Sequence, residues 1–397
     1  MNHTGSVGTV ETQLFRFGSP DEPFVLECGA TLPGVQLAYE TYGKLSPQRD
    51  NAVLVFHALT GSQHAAGHNP RLADNPLWTE ECHLGWWEQF IGPGKAIDTD
   101  HLFVICVNYL GSCYGTTGPH SINPETGKPY GSAFPEITIG DIVRSQIPLL
   151  DHLGIDILLA ATGGSMGGMM AMDLALRTPS RVRLVIPIAA AAGVSELTKL
   201  HNFEQMFALI EDPNFNGGDY YDQPERPWLG LVLARMISHK TFVHLGVLRE
   251  RALGEIVQPS DVVRGYRLRH RTESYMLHHG KKFATRFDTN SYIRILGAWQ
   301  SFDLARAHGG GDLAAAFRRS AEAAHRYLVF TISSDVCFYP EEQVVIVDAL
   351  KADGIEHQYY TINSDKGHDS FLIEPSLYSP LLRHALKEEV RLIRGEV

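Results

Sequence analysis

The chain has no apolar run long enough to cross a bilayer and no CxxC or HExxH spacing. It has few cysteines for its length, and no basic segment followed by an apolar one near its start. Each absence removes a class of function. The richest apolar stretch, around residues 182–193, falls short of the ~20 residues a spanning helix needs, so no membrane partner is expected. The segment MNHTGSVGTVETQLFRFG does not read as a secretory signal. Five scattered cysteines (Cys28, Cys82, Cys106, Cys113 and Cys337) form no evident disulfide framework, and an odd number fits a reducing compartment. A cytoplasmic protein is expected, with no metal site and no permanently bound cofactor. A formal net charge of -11 argues against bulk attraction to nucleic acid or to anionic membranes. It leaves small anionic substrates open, because one local arginine can dominate a pocket.

What is present is an ordinary enzyme composition over 397 residues, 44% apolar and 20% charged. That is enough chain for a full core and a sizeable insertion. Near-continuous apolar runs, AVLVF at 52–56 and FVICV at 103–107, predict strands buried on both faces of a sheet. DIVRSQIPLLDHLGI predicts a helix leading to the strand IDILLAAT. SMGGMMAMDLALR predicts the next helix and RLVIPIAAAA the next strand. This rhythm is that of an α/β fold with crossover helices.

Between about 195 and 310 strong strand signals vanish. GLVLARMISHKTFVHLGVL, TESYMLHHGKKFATRF and TNSYIRILGAWQSFDLARA read as helical runs, too much chain for one crossover. We read an inserted helical lid at 195–315 between two parts of one α/β core, 1–194 and 316–397. In the second part FRRSAEAAHR predicts a helix, YLVFTIS a strand, PEEQVVIVDALKADG a helix with Pro340 in its first turn, and IEHQYYTIN a strand. A last helix is expected near SPLLRHALKEEVRLI.

The chemistry centres on GGSMGG at 163–168, a G-x-S-x-G between a predicted strand and a predicted helix. A serine on that tight turn projects its hydroxyl above the sheet, and small neighbours relieve the crowded backbone. Ser165 is therefore the candidate nucleophile. A glycine-rich turn that merely binds phosphate is the bland alternative, but a dinucleotide site prefers G-x-G-x-x-G early in its domain, and no Walker lysine follows. A serine needs a base, and this architecture orders the chain as Ser, acid, His. Asp335 follows the strand YLVFTIS and His368 lies in GHD after the next strand, both where strands end. Nineteen histidines leave rivals: His57 precedes the nucleophile and reads as loop support, and Asp365 and Asp369 flank His368. The backbone N–H groups of Met166 and Leu59 are the candidate oxyanion hole, one after the nucleophile and one in the loop HALTGS. Arg235 sits in an apolar helical run. It could hold a carboxylate through two parallel hydrogen bonds, or point to solvent or pair internally.

Several stretches closely resemble the homoserine O-acyltransferase (MetX-like) family of the α/β-hydrolases: LAYETYGKL, HALTGS, GWWEQFIGPGKAIDTDHLFVICVNYLGSCYGTTGP, INPETGKPYG, FPEITIGDIVRSQ, GGSMGGM, LARMISHKTF, ESYMLHHGKKFATRFDTNSY and GHDSFL. The resemblance covers about residues 12–390. It implies an α/β-hydrolase fold with a mostly parallel central sheet and a helical lid, and a homodimer. The implied reaction is transfer of an acetyl, in some members a succinyl, group from coenzyme A to the hydroxyl of homoserine, or of serine in some relatives. It implies the triad Ser165, Asp335 and His368, with Arg235 on the substrate side and Asp369 near the acceptor amine. Two departures are visible: Phe242 stands where the family often has Tyr, and Met170 where a Gln is frequent. The same triad could serve an esterase or thioesterase, and a fold that has lost catalysis would be a binding or scaffold protein.

Overall fold

The apolar runs become the middle of an eight-stranded sheet in a computed structural model that describes residues 5–73, 75–254, 262–263 and 265–395. The first four residues of the N-terminal segment lie outside that range. The strands are β1 (Gln13–Phe17), β2 (Val35–Tyr42), β3 (Ala52–Phe56), β4 (Phe103–Val107), β5 (Leu158–Gly164), β6 (Val182–Ile188), β7 (Arg326–Ile332) and β8 (His357–Ile362). Their spatial order is β1-β2-β4-β3-β5-β6-β7-β8. The pairs β1/β2 and β2/β4 are antiparallel, and every pair from β4/β3 to β7/β8 is parallel. This is an α/β-hydrolase sheet.

Alternation within β3 explains why the run reads as unbroken apolar sequence. Ala52, Leu54 and Phe56 enter one hydrophobic cluster, and Val53 and Val55 enter another on the opposite face. The first cluster is completed by α1 (Ile139–His152) and α2 (Met166–Arg177), and the second by α11 (Pro375–Arg394), through Tyr378, Leu382 and Leu386. Local signals set the helix starts. Thr138 accepts from the Asp141 N–H at 3.0 Å while Asp141 accepts from the Thr138 N–H at 3.0 Å, a reciprocal cap for α1. Pro340 opens α10 (Pro340–Ala352), where its missing N–H costs nothing.

The chain between β6 and β7 carries α3 (Glu196–Ile210), α4 (Trp228–Phe242), α5 (Leu245–Leu253), α6 (Arg271–Arg286), α7 (Thr289–Gln300), α8 (Leu304–Gly309) and α9 (Leu313–Glu322). In this inserted helical region α4 packs between α3 and α6. Gly280 of α6 lies so close to α4 that a Cβ there would come within 2.7 Å of the Val232 carbonyl, so glycine sets the helix spacing.

Two of the long helical runs are broken. The run through residues 230–248 splits at Val243, whose φ of -123° and ψ of 130° are extended. His244 then restarts the chain by accepting from the Gly246 N–H at 3.4 Å. The run through 289–307 splits after Gln300, and Asp303 caps α8 by accepting from the Arg306 N–H at 3.0 Å. In both cases a capping side chain outcompetes continued helix, a signal that periodicity alone does not carry. No described helix is long and apolar enough to cross a membrane.

Candidate functional site

Four loops leave the sheet at its carboxyl edge and carry the candidate groups. β3 runs into the loop bearing Leu59, β5 into Ser165, β7 into Asp335 and β8 into His368. Phe56 lies beside Gly163 in the β3/β5 register, and Ile188 beside Gly164 in β6/β5, so Ser165 emerges from the middle of the sheet.

Ser165 has φ 60° and ψ -129°, a conformation that side chains other than glycine rarely adopt. Such a residue stores on the order of 1–3 kcal/mol of strain, held by its surroundings. Its N–H donates to the Ile188 carbonyl at 2.9 Å, and its own carbonyl accepts from the Gly168 N–H at 2.9 Å, closing the turn. Gly167 makes the turn possible, because a Cβ there would come within 2.3 Å of the Phe56 carbonyl oxygen and 2.9 Å of that of His57. The elbow and the Leu59 loop are thus in contact. Met166 opens α2, and its N–H, like that of Leu59, donates to no other group among the described residues.

His368 Nδ1 donates to Asp335 Oδ2 at 2.7 Å, and both side chains are buried. Asp335 is held in turn: its Oδ1 accepts from the Cys337 and Phe338 N–H groups at 2.8 and 3.0 Å, and its Oδ2 from Gln343 Nε2 at 3.3 Å. With Nδ1 committed, the His368 Nε2 lone pair is free to accept a proton. Nε2 has no hydrogen-bond partner among the described residues, Ser165 included. The Phe371 ring connects the two groups: it stands edge-on to His368 at 5.5 Å and fills the space beside Gly164, where a Cβ would meet it at 2.2 Å. A serine–histidine bond that tightens only with substrate is ordinary in such sites. Burial pushes the His368 pKa down, but the Asp335 carboxylate, its hydrogen bond and Asp369 outweigh that and hold it above the usual imidazole value.

The rivals fall elsewhere. Asp365 is exposed and pairs with Lys366 at 3.0 Å. His57 is fully buried, stacked on Tyr109 at 3.5 Å, and burial depresses its pKa to about 3, so it stays neutral. Its Nδ1 donates to the Ala58 carbonyl at 2.7 Å, within the Leu59 loop.

Above these loops stand two charges without a hydrogen-bond or ion-pair partner among the described residues. Arg235 of α4 lies with its guanidinium carbon 5.2 Å from the ring centres of both Phe242 and Phe283. Burial, and then the neighbouring Arg286, lower its pKa, while Asp369 acts the other way. Asp369 is raised by burial and opposed by His368, Arg235 and Arg251. Its N–H donates to the Phe242 carbonyl at 3.0 Å, tying the end of α4 to the histidine loop. Phe242 thus contributes a ring face to Arg235 and a carbonyl to Asp369.

Sequence reasoning misses Arg286, at the end of α6. Its guanidinium donates to the Thr60 carbonyl and to the Tyr114 hydroxyl, both at 3.1 Å, and lies over Phe283 at 5.2 Å. An arginine between Phe283 and Phe287, at helical spacing, is the signal that could have found it.

Comparison with known proteins agrees with this geometry. A family model described as alpha/beta hydrolase fold matches residues 51–375. A homoserine O-acetyltransferase of Solidesulfovibrio magneticus is 42% identical over 384 residues, 96% of this chain and 93% of its own. A homoserine O-succinyltransferase of Bordetella pertussis is 43% identical over 382 residues, 96% of this chain and 88% of its own. The crystal structure of esterase E22 is similar with a TM-score of 0.82 at 28% identity, covering 95% of this chain and 100% of the esterase.

Proposed function

The chain belongs to the homoserine O-acyltransferase family of the α/β-hydrolases, and from that premise we propose that it moves an acetyl group from acetyl-CoA to the hydroxyl of L-homoserine through an acyl-Ser165 intermediate. The observation that carries the reading is the unpaired pair Arg235 and Asp369 beside His368. A cation and a carboxylate close enough to act on each other electrostatically, one of them next to His368 in the chain, complement the carboxylate and ammonium of an α-amino acid, whose hydroxyl then lies near the base. A plain esterase has no use for that pair.

Ser165 Oγ attacks the thioester carbonyl as His368 Nε2 takes its proton, and Asp335 stabilises the imidazolium. The Leu59 and Met166 N–H groups receive the tetrahedral oxyanion. Collapse breaks the C–S bond, His368 returns its proton to the thiolate, and CoA leaves. The acceptor hydroxyl then gives its proton to His368 and attacks the acyl ester, and as the second tetrahedral intermediate collapses His368 returns that proton to the departing Ser165 Oγ. CoA is a substrate, and no resident cofactor enters the cycle. The lid, proposed as residues 195–315 between core segments 1–194 and 316–397, limits water, the competing acceptor.

Steady-state CoA release from acetyl-CoA and succinyl-CoA, with L-homoserine, L-serine or no acceptor, tests this directly. Release that requires homoserine and yields its O-acetyl ester is expected. Equal release without acceptor, giving free acid alone, would overturn it in favour of hydrolysis, the second reading that the likeness to esterase E22 supports.

Arg235→Met should raise the acceptor KM by about 10- to 100-fold, the loss of a charge-assisted hydrogen-bonded pair. Acylation by acetyl-CoA in a single turnover should be unaffected. An unchanged acceptor KM would remove Arg235 from substrate binding.

A homodimer completes the proposal. Leu200, Phe203 and Phe207 line one face of α3 at 60%, 59% and 52% exposure, an apolar stripe suited to a second copy. Light scattering should give twice the chain mass, and Phe203→Glu with Phe207→Glu should give the monomer. A wild-type monomer at micromolar concentration would exclude this.

A further inference from the structure

The loop carrying Leu59 contains a continuous chain of hydrogen bonds that begins on the lid. Arg286 Nη1 donates to the Thr60 carbonyl at 3.1 Å. That carbonyl belongs to the Thr60–Gly61 peptide, whose N–H, on Gly61, donates to the Ala58 carbonyl at 2.9 Å. The Ala58 carbonyl in turn belongs to the Ala58–Leu59 peptide, whose N–H is that of Leu59. Each peptide unit is thus gripped at its oxygen and presents its hydrogen to the next. The sequence runs from a guanidinium through two amides to Leu59. His57 Nδ1 donates to the same Ala58 carbonyl at 2.7 Å and reinforces the second link.

We propose that Arg286 is a positioning residue that orients and polarises the Leu59 N–H through these two peptide units, so that the lid strengthens the oxyanion hole. The inference rests on the reading of Leu59 as an oxyanion donor. Three facts favour it. Hydrogen bonds aligned in series polarise one another, and the effect is larger away from water, where Leu59 lies, 5% exposed. The donor at the head of the chain carries full charge, and charge-assisted bonds are roughly twice as strong as neutral ones. The rest of the loop is fixed from below by other means: Tyr109 Oη donates to the His57 carbonyl, Trp86 Nε1 to the Ser62 carbonyl at 2.9 Å, and His64 Nδ1 lies 2.7 Å from Glu40. Among the described residues, only the Leu59–Thr60 tip of this loop takes a hydrogen bond from the inserted helices.

The guanidinium is well placed for this and poorly placed for a conventional ion pair. Its one ion pair among the described residues is loose, with Glu81 Oε2 3.9 Å from Nε. The Tyr114 hydroxyl donates back to the Arg286 carbonyl and accepts from Nη1, fixing the side chain at both ends. Its charge is therefore directed at the loop.

The test compares wild type, Arg286→Met and Arg286→Lys on p-nitrophenyl acetate, an acyl donor that carries neither CoA nor an amino acid. In Arg286→Met the acylation rate constant should fall about tenfold, a barrier increase of about 1.4 kcal/mol. KM and melting temperature should hold, and free guanidinium ion should restore part of the rate. Arg286→Lys, which keeps a charge but loses the planar fork, should fall between, and it carries the test if the methionine variant does not fold. The Leu59 amide proton resonance should move upfield in the variants in step with rate. A full rate in a stable Arg286→Met enzyme, or a lost rate with an unmoved Leu59 resonance, would overturn the relay. Equal bursts from wild type and Ser165→Ala would instead overturn the nucleophile reading, an outcome the Leu59 resonance does not report on.

Discussion

Ser165→Ala should reduce acyl transfer on the order of 10⁶-fold, the loss seen when a triad nucleophile is removed while binding and the oxyanion donors remain. The expected signature is also covalent. Wild type mixed with acetyl-CoA and no acceptor should gain the mass of one acetyl group on the peptide containing Ser165, and the variant should gain none. The fold should survive, because the strained turn is held by backbone: the Ser165 N–H on Ile188, its carbonyl on Gly168, and the hydrogen at Gly167 that lets the Phe56 carbonyl approach. Alanine adds nothing to that space. A variant that keeps more than a few per cent of the rate, or an adduct on another residue, would move the nucleophile elsewhere. It would also undo the two-step cycle, since direct attack of homoserine on the thioester needs no serine.

Asp335→Asn should cost about 10⁴-fold in kcat with little change in either KM, because the amide mis-sets the histidine tautomer and no longer stabilises its charge. The pH profile gives an independent check. Catalysis needs neutral His368, so the acid limb of kcat/KM in wild type should lie above about 6.5, the ordinary imidazole value. That elevation comes from Asp335 and, less, from Asp369, working against burial. With the carboxylate replaced, burial is opposed by Asp369 alone, and the limb should move to lower pH as the plateau drops. A lower plateau with an unmoved limb would mean that the limb belongs to another group. His57 is unsuited to that role, since burial already holds it near 3.

What the sequence discloses follows from how each feature is encoded. β3, β4 and β5 are legible because both of their faces are largely buried, so small and apolar residues run nearly unbroken, Thr162 being the one polar side chain among them. The elbow is legible because a backbone constraint has only small-residue solutions, and GGSMGG states them in adjacent letters. Asp335 and His368 are reached by chain order and by their place after strands. Their 2.7 Å contact, across 33 positions, is a property of the β7/β8 pairing. Edge strand β1 is poorly marked: QLFRF carries an arginine and is largely exposed, so its pattern is diluted. The breaks at Val243 and after Gln300 escape because a helical period continues across them while a cap overrides it. Arg286 escapes for a deeper reason. Its partner Thr60 is 226 residues away, and the group it touches is a carbonyl, which has no letter in the sequence.

The spatial order of the strands also sets a schedule. A ribosome delivers the Leu59 loop and Ser165 first, then the whole lid, and only afterwards Asp335 and His368, which enter through the last two strands of the sheet. On the proposed triad, a nascent chain therefore carries its serine through about two hundred further codons before the base that would deprotonate it has been made. On that reading an acyl donor is safe from the unfinished chain. On the proposed roles, serine and base meet only when β8 has docked on β7, so the last two strands of the sheet complete the site.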